Sequence, residues 1–127
     1  MAVPLLDIGR QHEPIKKELM EVFEDALRTS RFIKGPQLEA FESELADYCG
    51  AGAAVGCASG TDALILSLQA VGVSPGDTVL TTPFTFFATA GAVSRCGARP
   101  AFVDILPDTF NMDPDQLAGY LSSRCAL

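Results

Sequence analysis

From Ala53 onward the chain keeps changing period: short apolar runs suited to strands give way to stretches with helical spacing, joined by linkers of only a few residues. Strands over Ala53 to Ala58, Thr78 to Thr82 and Pro100 to Asp104 alternate with helices over Asp62 to Val71, Phe86 to Arg95 and Pro114 to Ser122. Ser74-Pro75-Gly76-Asp77 and Leu106-Pro107-Asp108 carry turn chemistry between them. Strands separated by helices pair in parallel through right-handed crossovers, so this order predicts an α/β fold, a mostly parallel sheet flanked by helices. Cys125-Ala126-Leu127 reads as the opening of another strand. Three residues do not make one, so the sheet is expected to be truncated here.

Two helices precede the alternation. From Glu13 to Ser30, Ile15, Leu19, Val22, Phe23, Ala26 and Leu27 recur at helical spacing, with Pro14 suited to a first turn and Lys16 and Lys17 on the polar face. This predicts an amphipathic surface helix. After the break at Ile33-Lys34-Gly35-Pro36, the stripe Leu38, Phe41, Leu45 and Tyr48 predicts a second helix, ended by Gly50 and Gly52. The chain divides into N-terminal helices, 1–52, and the start of the sheet, 53–127, without repeats, low-complexity tracts or a domain linker.

Composition removes several classes of function. With 127 residues, 48% of them hydrophobic, the chain can bury a core and does not belong with disordered sequences. The net charge is −7 and the largest basic cluster is Lys16-Lys17, which leaves nothing to neutralise a nucleic-acid backbone. Met1 to Asp7 lacks the basic and apolar regions of a signal peptide, and no stretch is long enough to span a bilayer, so a cytoplasmic protein without membrane association is expected. Cys49, Cys57, Cys96 and Cys125 form no Cys-x-x-Cys pair, and His12 is the single imidazole; no metal site is expected, and the thiols read as reduced and mostly buried.

Ser59-Gly60-Thr61-Asp62-Ala63-Leu64 is the segment that points to a ligand. A small-residue turn opening directly into a helix offers unpaired N–H groups and a positive dipole end to an anion, usually a phosphate. Gly60 widens the backbone choices, Thr61 adds a hydroxyl donor, and Asp62 suits a cap or first turn. A capped helix after a tight turn accounts for the same residues without any ligand, and taken alone the short motif favours that reading.

The ordered set Gly35-Pro36, Phe41-Glu42, Ala58-Ser59-Gly60-Thr61-Asp62-Ala63-Leu64, Pro75-Gly76-Asp77, Thr85-Phe86-Phe87-Ala88-Thr89, Gly97-Ala98-Arg99-Pro100 and Phe102-Val103-Asp104 resembles the DegT/StrS family of sugar-nucleotide aminotransferases. The resemblance runs from about Leu5 to Leu127. It implies the N-terminal part of the large domain of a pyridoxal 5′-phosphate (PLP)-dependent transferase of the aspartate aminotransferase-like fold. It also implies a homodimer, a nucleotide-sugar substrate bearing a ketone, and an amino-acid donor such as glutamate that gives up its nitrogen first.

By the same resemblance, Gly60, Thr61 and the Asp62 amide hold the PLP phosphate, the Asp62 carboxylate points away, and Phe86 stacks on the pyridine ring. Phe87 is then left as a core residue, although Phe84, Phe86 and Phe87 read from composition alone as core side chains. Asp104 lies where α/β sites form, but a turn cap is the simpler role for a strand-end aspartate. The family's Schiff-base lysine, in a Ser-x-x-Lys context, and its pyridine-nitrogen aspartate have no counterparts here; the lysines are Lys16, Lys17 and Lys34. The chain alone is therefore expected to be inactive. Two other readings stand beside this one: a non-catalytic truncated binding or interaction module, and a PLP enzyme of the same fold acting on amino acids or performing dehydration.

Overall fold

Proline and an aspartate cap decide how the first helical segment is divided. Helix α1, Ile8–His12, starts on Asp7, whose Oδ1 accepts the Arg10 N–H at 3.1 Å. Pro14 has no N–H to give and crowds the preceding turn. Glu13–Ile15 consequently form one 3₁₀ turn before α2, Lys16–Thr29, so the helix expected from Glu13 enters its regular α-geometry three residues later. Leu19, Val22, Phe23 and Leu27 remain about half exposed along α2. Pro36 opens α3, Pro36–Cys49, and Gly50 closes it in the left-handed region while the Ala51 N–H donates to Ala46 O at 2.9 Å.

This computed structural model describes residues 3–124, which fall into two compact units, one running up to Gly56 and the other beginning at Cys57. The expected strand from Ala53 to Ala58 is not formed. It pairs with no strand among the described residues. Small residues contribute little side-chain packing, so without a ladder partner the segment has no reason to take regular strand geometry. The Gly56 N–H donates instead to Glu42 Oε1 on α3 at 2.6 Å, a charge-assisted bond. A Cβ on Gly56 would stand 2.7 Å from Leu38 Cδ1, so the absence of a side chain here lets the segment approach α3 without moving that leucine's end.

The second unit follows the anticipated alternation: α4 (Gly60–Ala70), β1 (Thr78–Thr81), α5 (Ala88–Arg95), β2 (Arg99–Phe102) and α6 (Pro114–Arg124). Strands β1 and β2 pair in parallel, with Thr78 opposite Arg99 and Thr81 opposite Phe102. The core is built from small side chains, with Ala92, Val93, Cys96, Ala98 and Val103 buried beside Thr81. Such residues let α5 lie close to the strands, and α4 packs on α5 in turn.

Turns at one end of the strands fix the helix directions. The Gly76 N–H donates to Gly97 O at 3.4 Å, joining the turn before β1 to the turn before β2. Gly97 has φ +77 and a Cβ there would meet Pro75 Cγ at 2.9 Å, so both conformation and space demand glycine. Helix α5 joins the carboxyl end of β1 to the start of β2, and at its end Cys96 Sγ meets the carbonyl of Ile65 in the middle of α4 at 3.9 Å.

Beyond β2, Asp104 Oδ1 accepts the Ile105 N–H at 2.8 Å and Ile105 bridges Met112 in antiparallel fashion. Asp113 then opens α6: its carboxylate accepts the Asp115 N–H at 2.9 Å and the Gln116 side-chain amide at 2.9 Å. The expected strand at Cys125-Ala126-Leu127 lies outside the described residues. Cysteines depart from the expectation of mostly buried thiols, since Cys49 and Cys57 are exposed and Cys96 is buried. The exposed two lie at a helix end and in an unpaired segment, where nothing packs over them; Cys125 is outside the described residues.

Candidate functional site

Ser59 opens α4 as its N-cap. Its φ of −163° and ψ of 164° are extended, and its Oγ accepts the Asp62 N–H at 3.1 Å while its carbonyl accepts the Ala63 N–H at 2.9 Å. One of the four N–H groups that every helix start leaves open, that of Asp62, is thereby satisfied, while the Ala63 N–H makes the first regular bond of the helix. Those of Gly60 and Thr61 have no acceptor among the described residues, and neither has the Thr61 hydroxyl. Gly60 is exposed, with no atom within 4 Å of where a Cβ would stand, and Thr61 is half-buried.

Three unpaired donors at the positive end of a helix are a donor set that can receive an anion. The Asp62 amide, read from the sequence as a fourth, is already committed to Ser59. Asp62 itself occupies the first turn, where its carboxylate complements the helix dipole.

Phe86 lies just before α5, in the loop that follows β1. The three phenylalanines of this loop have separate fates. Phe84 stacks on Phe110, with ring centroids 5.5 Å apart and planes 25° from parallel. The Phe87 ring lies over Gly91, where a Cβ would be 3.3 Å from Cε1. Phe86 is 80% exposed and enters no ring pair among the described residues. Phe87, expected in the core, is 84% exposed: it covers a helix surface that no other described element covers in turn.

The loop that carries Phe86 is tied on both sides. Phe84 N–H donates to Thr82 Oγ1 at 3.1 Å, Thr85 N–H to Pro83 O at 3.0 Å and Thr89 N–H to Phe86 O at 3.0 Å. The hydroxyls of Thr85 and Thr89 meet at 2.9 Å, closing a ring around Phe86. Sequence reasoning missed this pair, though two threonines four apart across a helix start are its visible signal.

Other candidates fall to ordinary roles. Asp104 is exposed and its carboxylate caps its own turn, the simpler of the two roles weighed for it. Lys16 pairs with Glu13 at 3.9 Å and Lys17 with Glu21 at 3.8 Å, both on exposed helix surface. Lys34, at φ +48, lines a cavity of about 390 Å³ in the first unit with Leu38, Glu39, Glu42, Val55 and Gly56. No lysine belongs to the unit that carries Thr61 and Phe86. Among the described residues no acidic, thiol or imidazole cluster could hold a metal ion, and no helix is long and apolar enough to cross a membrane.

The sequence pattern of the DegT/DnrJ/EryC1/StrS aminotransferase family matches residues 13–126. The chain belongs to this family. It is 48% identical over 124 residues to a pleiotropic regulatory protein of Geobacillus stearothermophilus, a match covering 98% of this chain and 33% of that protein. It is 40% identical over 122 residues to the UDP-2-acetamido-2-deoxy-3-oxo-D-glucuronate aminotransferase of Pseudomonas aeruginosa, covering 96% of this chain and 34% of the relative.

Among solved structures, a family aminotransferase from Brucella abortus superposes with a TM-score of 0.88 at 36% identity, over 97% of this chain and 34% of that one. NtdA of Bacillus subtilis, with its bound cofactor PMP, superposes with a TM-score of 0.87 at 36% identity, over 92% of this chain and 27% of that one. The chain spans about a third of the length of these relatives and corresponds to the N-terminal part of the PLP-dependent aminotransferase fold.

Proposed function

We propose that this chain supplies the phosphate cradle and the ring platform of a PLP-dependent aminotransferase that moves an amino group from an amino acid such as glutamate to a nucleotide-linked keto sugar. The observation that carries the reading is the pair of open N–H groups at Gly60 and Thr61, with the unpaired Thr61 hydroxyl, in a chain of this family. A phosphate monoester fits that donor set. The exposed Phe86 ring offers a stacking face of the size a pyridine ring needs. Held there, PLP supplies the electron sink through which nitrogen passes between donor and acceptor.

This chain's residues bind and orient. Gly60 and Thr61 fix the phosphate, Phe86 fixes the ring plane, and the Asp62 carboxylate, in the first turn, keeps its charge away from the open amides. The covalent anchor and the ring-nitrogen carboxylate belong, in this reading, to a parent protein of which residues 1–127 form the first part of the large domain, with 1–52 as N-terminal helices and 53–127 as the start of the sheet. The reading also places the parent in the cytoplasm as a homodimer, and leaves the chain alone without catalysis.

Restoring PLP to the parent protein after stripping its cofactor tests this. Stoichiometric uptake, with amination of a UDP- or dTDP-linked keto sugar at the expense of glutamate, is the expected result. A folded parent that takes up no PLP would overturn it. A second reading is a non-catalytic truncated binding or interaction module, beside which stands the name of the Geobacillus relative, a pleiotropic regulatory protein. A parent sequence lacking any Ser-x-x-Lys segment selects that alternative.

A further inference from the structure

The geometry points to Thr85 and Thr89 as positioning residues for Phe86: their paired hydroxyls clasp the loop and hold the aromatic ring in the orientation that stacks on the cofactor. This rests on the reading just given, in which Phe86 is the stacking ring. A ring on an unconstrained loop contributes little, because each torsion that must be frozen on binding subtracts from the stacking energy. An exposed side chain with no ring partner of its own gains its orientation from the backbone beneath it. Here that backbone is fixed independently on each flank.

Before Phe86, Thr82 Oγ1 and Pro83 O accept the N–H groups of Phe84 and Thr85, and Phe84 is weighted down by its stack on Phe110. After it, Phe87 lies on Gly91 and its carbonyl accepts the Gly91 N–H at 3.0 Å. Among the described residues the Thr85 to Thr89 hydroxyl contact at 2.9 Å is the one side-chain hydrogen bond that joins the two flanks. It spans Phe86, Phe87 and Ala88, and of the two rings that of Phe87 lies over Gly91 while that of Phe86 enters no ring pair among the described residues. Thr85 is exposed and Thr89 half-buried, so the clasp lies at the surface where a cofactor edge arrives, and it does not serve the core.

One hydrogen bond shared by two residues has a signature in mutant cycles: removing either partner has the full effect, and removing both adds nothing. The test measures the PLP dissociation constant of the cofactor-stripped parent protein for Thr85→Val, Thr89→Val, the double variant, Thr89→Ser and Phe86→Ala. The thermal midpoint of the stripped protein is recorded beside each. Each valine variant is expected to weaken PLP binding about three- to tenfold, a factor of ten corresponding to 1.4 kcal/mol. The double variant should match the singles, and Thr89→Ser, which keeps the hydroxyl, should stay within about twofold of wild type.

In a Phe86→Ala background Thr89→Val should have no further effect, since the clasp acts through the ring. Valine effects that add, that persist without Phe86, or that appear only as a lowered thermal midpoint with unchanged PLP affinity would overturn the proposal. Phe86→Ala separates the two levels of inference. If it leaves PLP affinity unchanged, the stacking role itself fails; if it weakens binding while the valine variants do not, the clasp alone fails. Should a valine variant not fold, Thr85→Ser/Thr89→Ala, which keeps one hydroxyl and lightens the other side chain, carries the same comparison.

Discussion

Thr61→Val in the parent protein separates the proposed phosphate contact from the helix that begins there. Valine keeps the β-branched shape and has a helix propensity close to that of threonine. The Thr61 hydroxyl has no partner among the described residues, so the substitution breaks no bond within the fold. Stability of the cofactor-free protein should therefore stay within about 0.5 kcal/mol of wild type. The whole effect then falls on the ligand. A hydrogen bond to a phosphate oxygen is charge-assisted and contributes about 1.5–3 kcal/mol, which raises the PLP dissociation constant about 10- to 150-fold.

Titrating stripped protein with PLP, followed by absorbance, reads the constant, and urea unfolding of the same samples reads stability. An unchanged constant would show that Thr61 does not meet the phosphate and that the turn is a capped helix start and nothing more. A stability loss above 1 kcal/mol would show that the hydroxyl serves the fold, and the reasoning from its free state would be wrong.

Gly56→Ala should destabilise the parent by no more than about 1 kcal/mol in urea unfolding, because its Cβ meets only the movable end of the Leu38 side chain at 2.7 Å; Leu38→Ala in the same chain should abolish that loss, and a loss above about 3 kcal/mol would show that Leu38 cannot move aside. Gly97→Ala should cost about 1 kcal/mol or more, the strain of φ +77 adding to contact with Pro75; hydrogen exchange of Arg99 and Val103, both paired to the β1 side, should speed up accordingly. Residues 1–127 expressed alone should aggregate or run as an oligomer in light scattering, given the half-exposed Leu19, Phe23 and Leu27 and the exposed Phe86 and Phe87; a monodisperse monomer with a sharp thermal transition would contradict this. The same short chain should show no visible absorption of covalently bound PLP, and a borohydride-reducible adduct on Lys34 would reverse that expectation.

The helices of the second unit and the parallel pairing of β1 with β2 were legible because periodicity, turn residues and small linkers all agreed there. Ala53 to Ala58 shows where that agreement ends. Its composition suits a strand, but strand formation depends on a neighbour that no local pattern specifies, and here the Gly56 amide finds Glu42 instead. Phe87 misled for a related reason: apolar character predicts a preference for burial, while burial itself depends on what packs from elsewhere. At the start of α4, a capped helix opening at Gly60 followed from the small-residue turn and the helical spacing after it. The commitment of the Asp62 amide to Ser59 did not, because either partner was free to cap until the backbone angles of Ser59 were known.

The parallel pair has a consequence for the order in which the molecule takes shape. Thr78 and Arg99, joined by a side-chain hydrogen bond at 3.1 Å across the strand register, are only 21 positions apart in sequence. A ribosome adding about 5–20 residues each second delivers both strands and the intervening α5 within a few seconds. Loop closure over so short a span costs little entropy compared with the longer crossovers of large sheets. The β1–α5–β2 unit can thus condense early in synthesis, presenting a formed strand edge on which later segments can dock. During that interval the edge is also open to other nascent chains, which makes chaperone occupancy of this stretch a measurable quantity in translating cells.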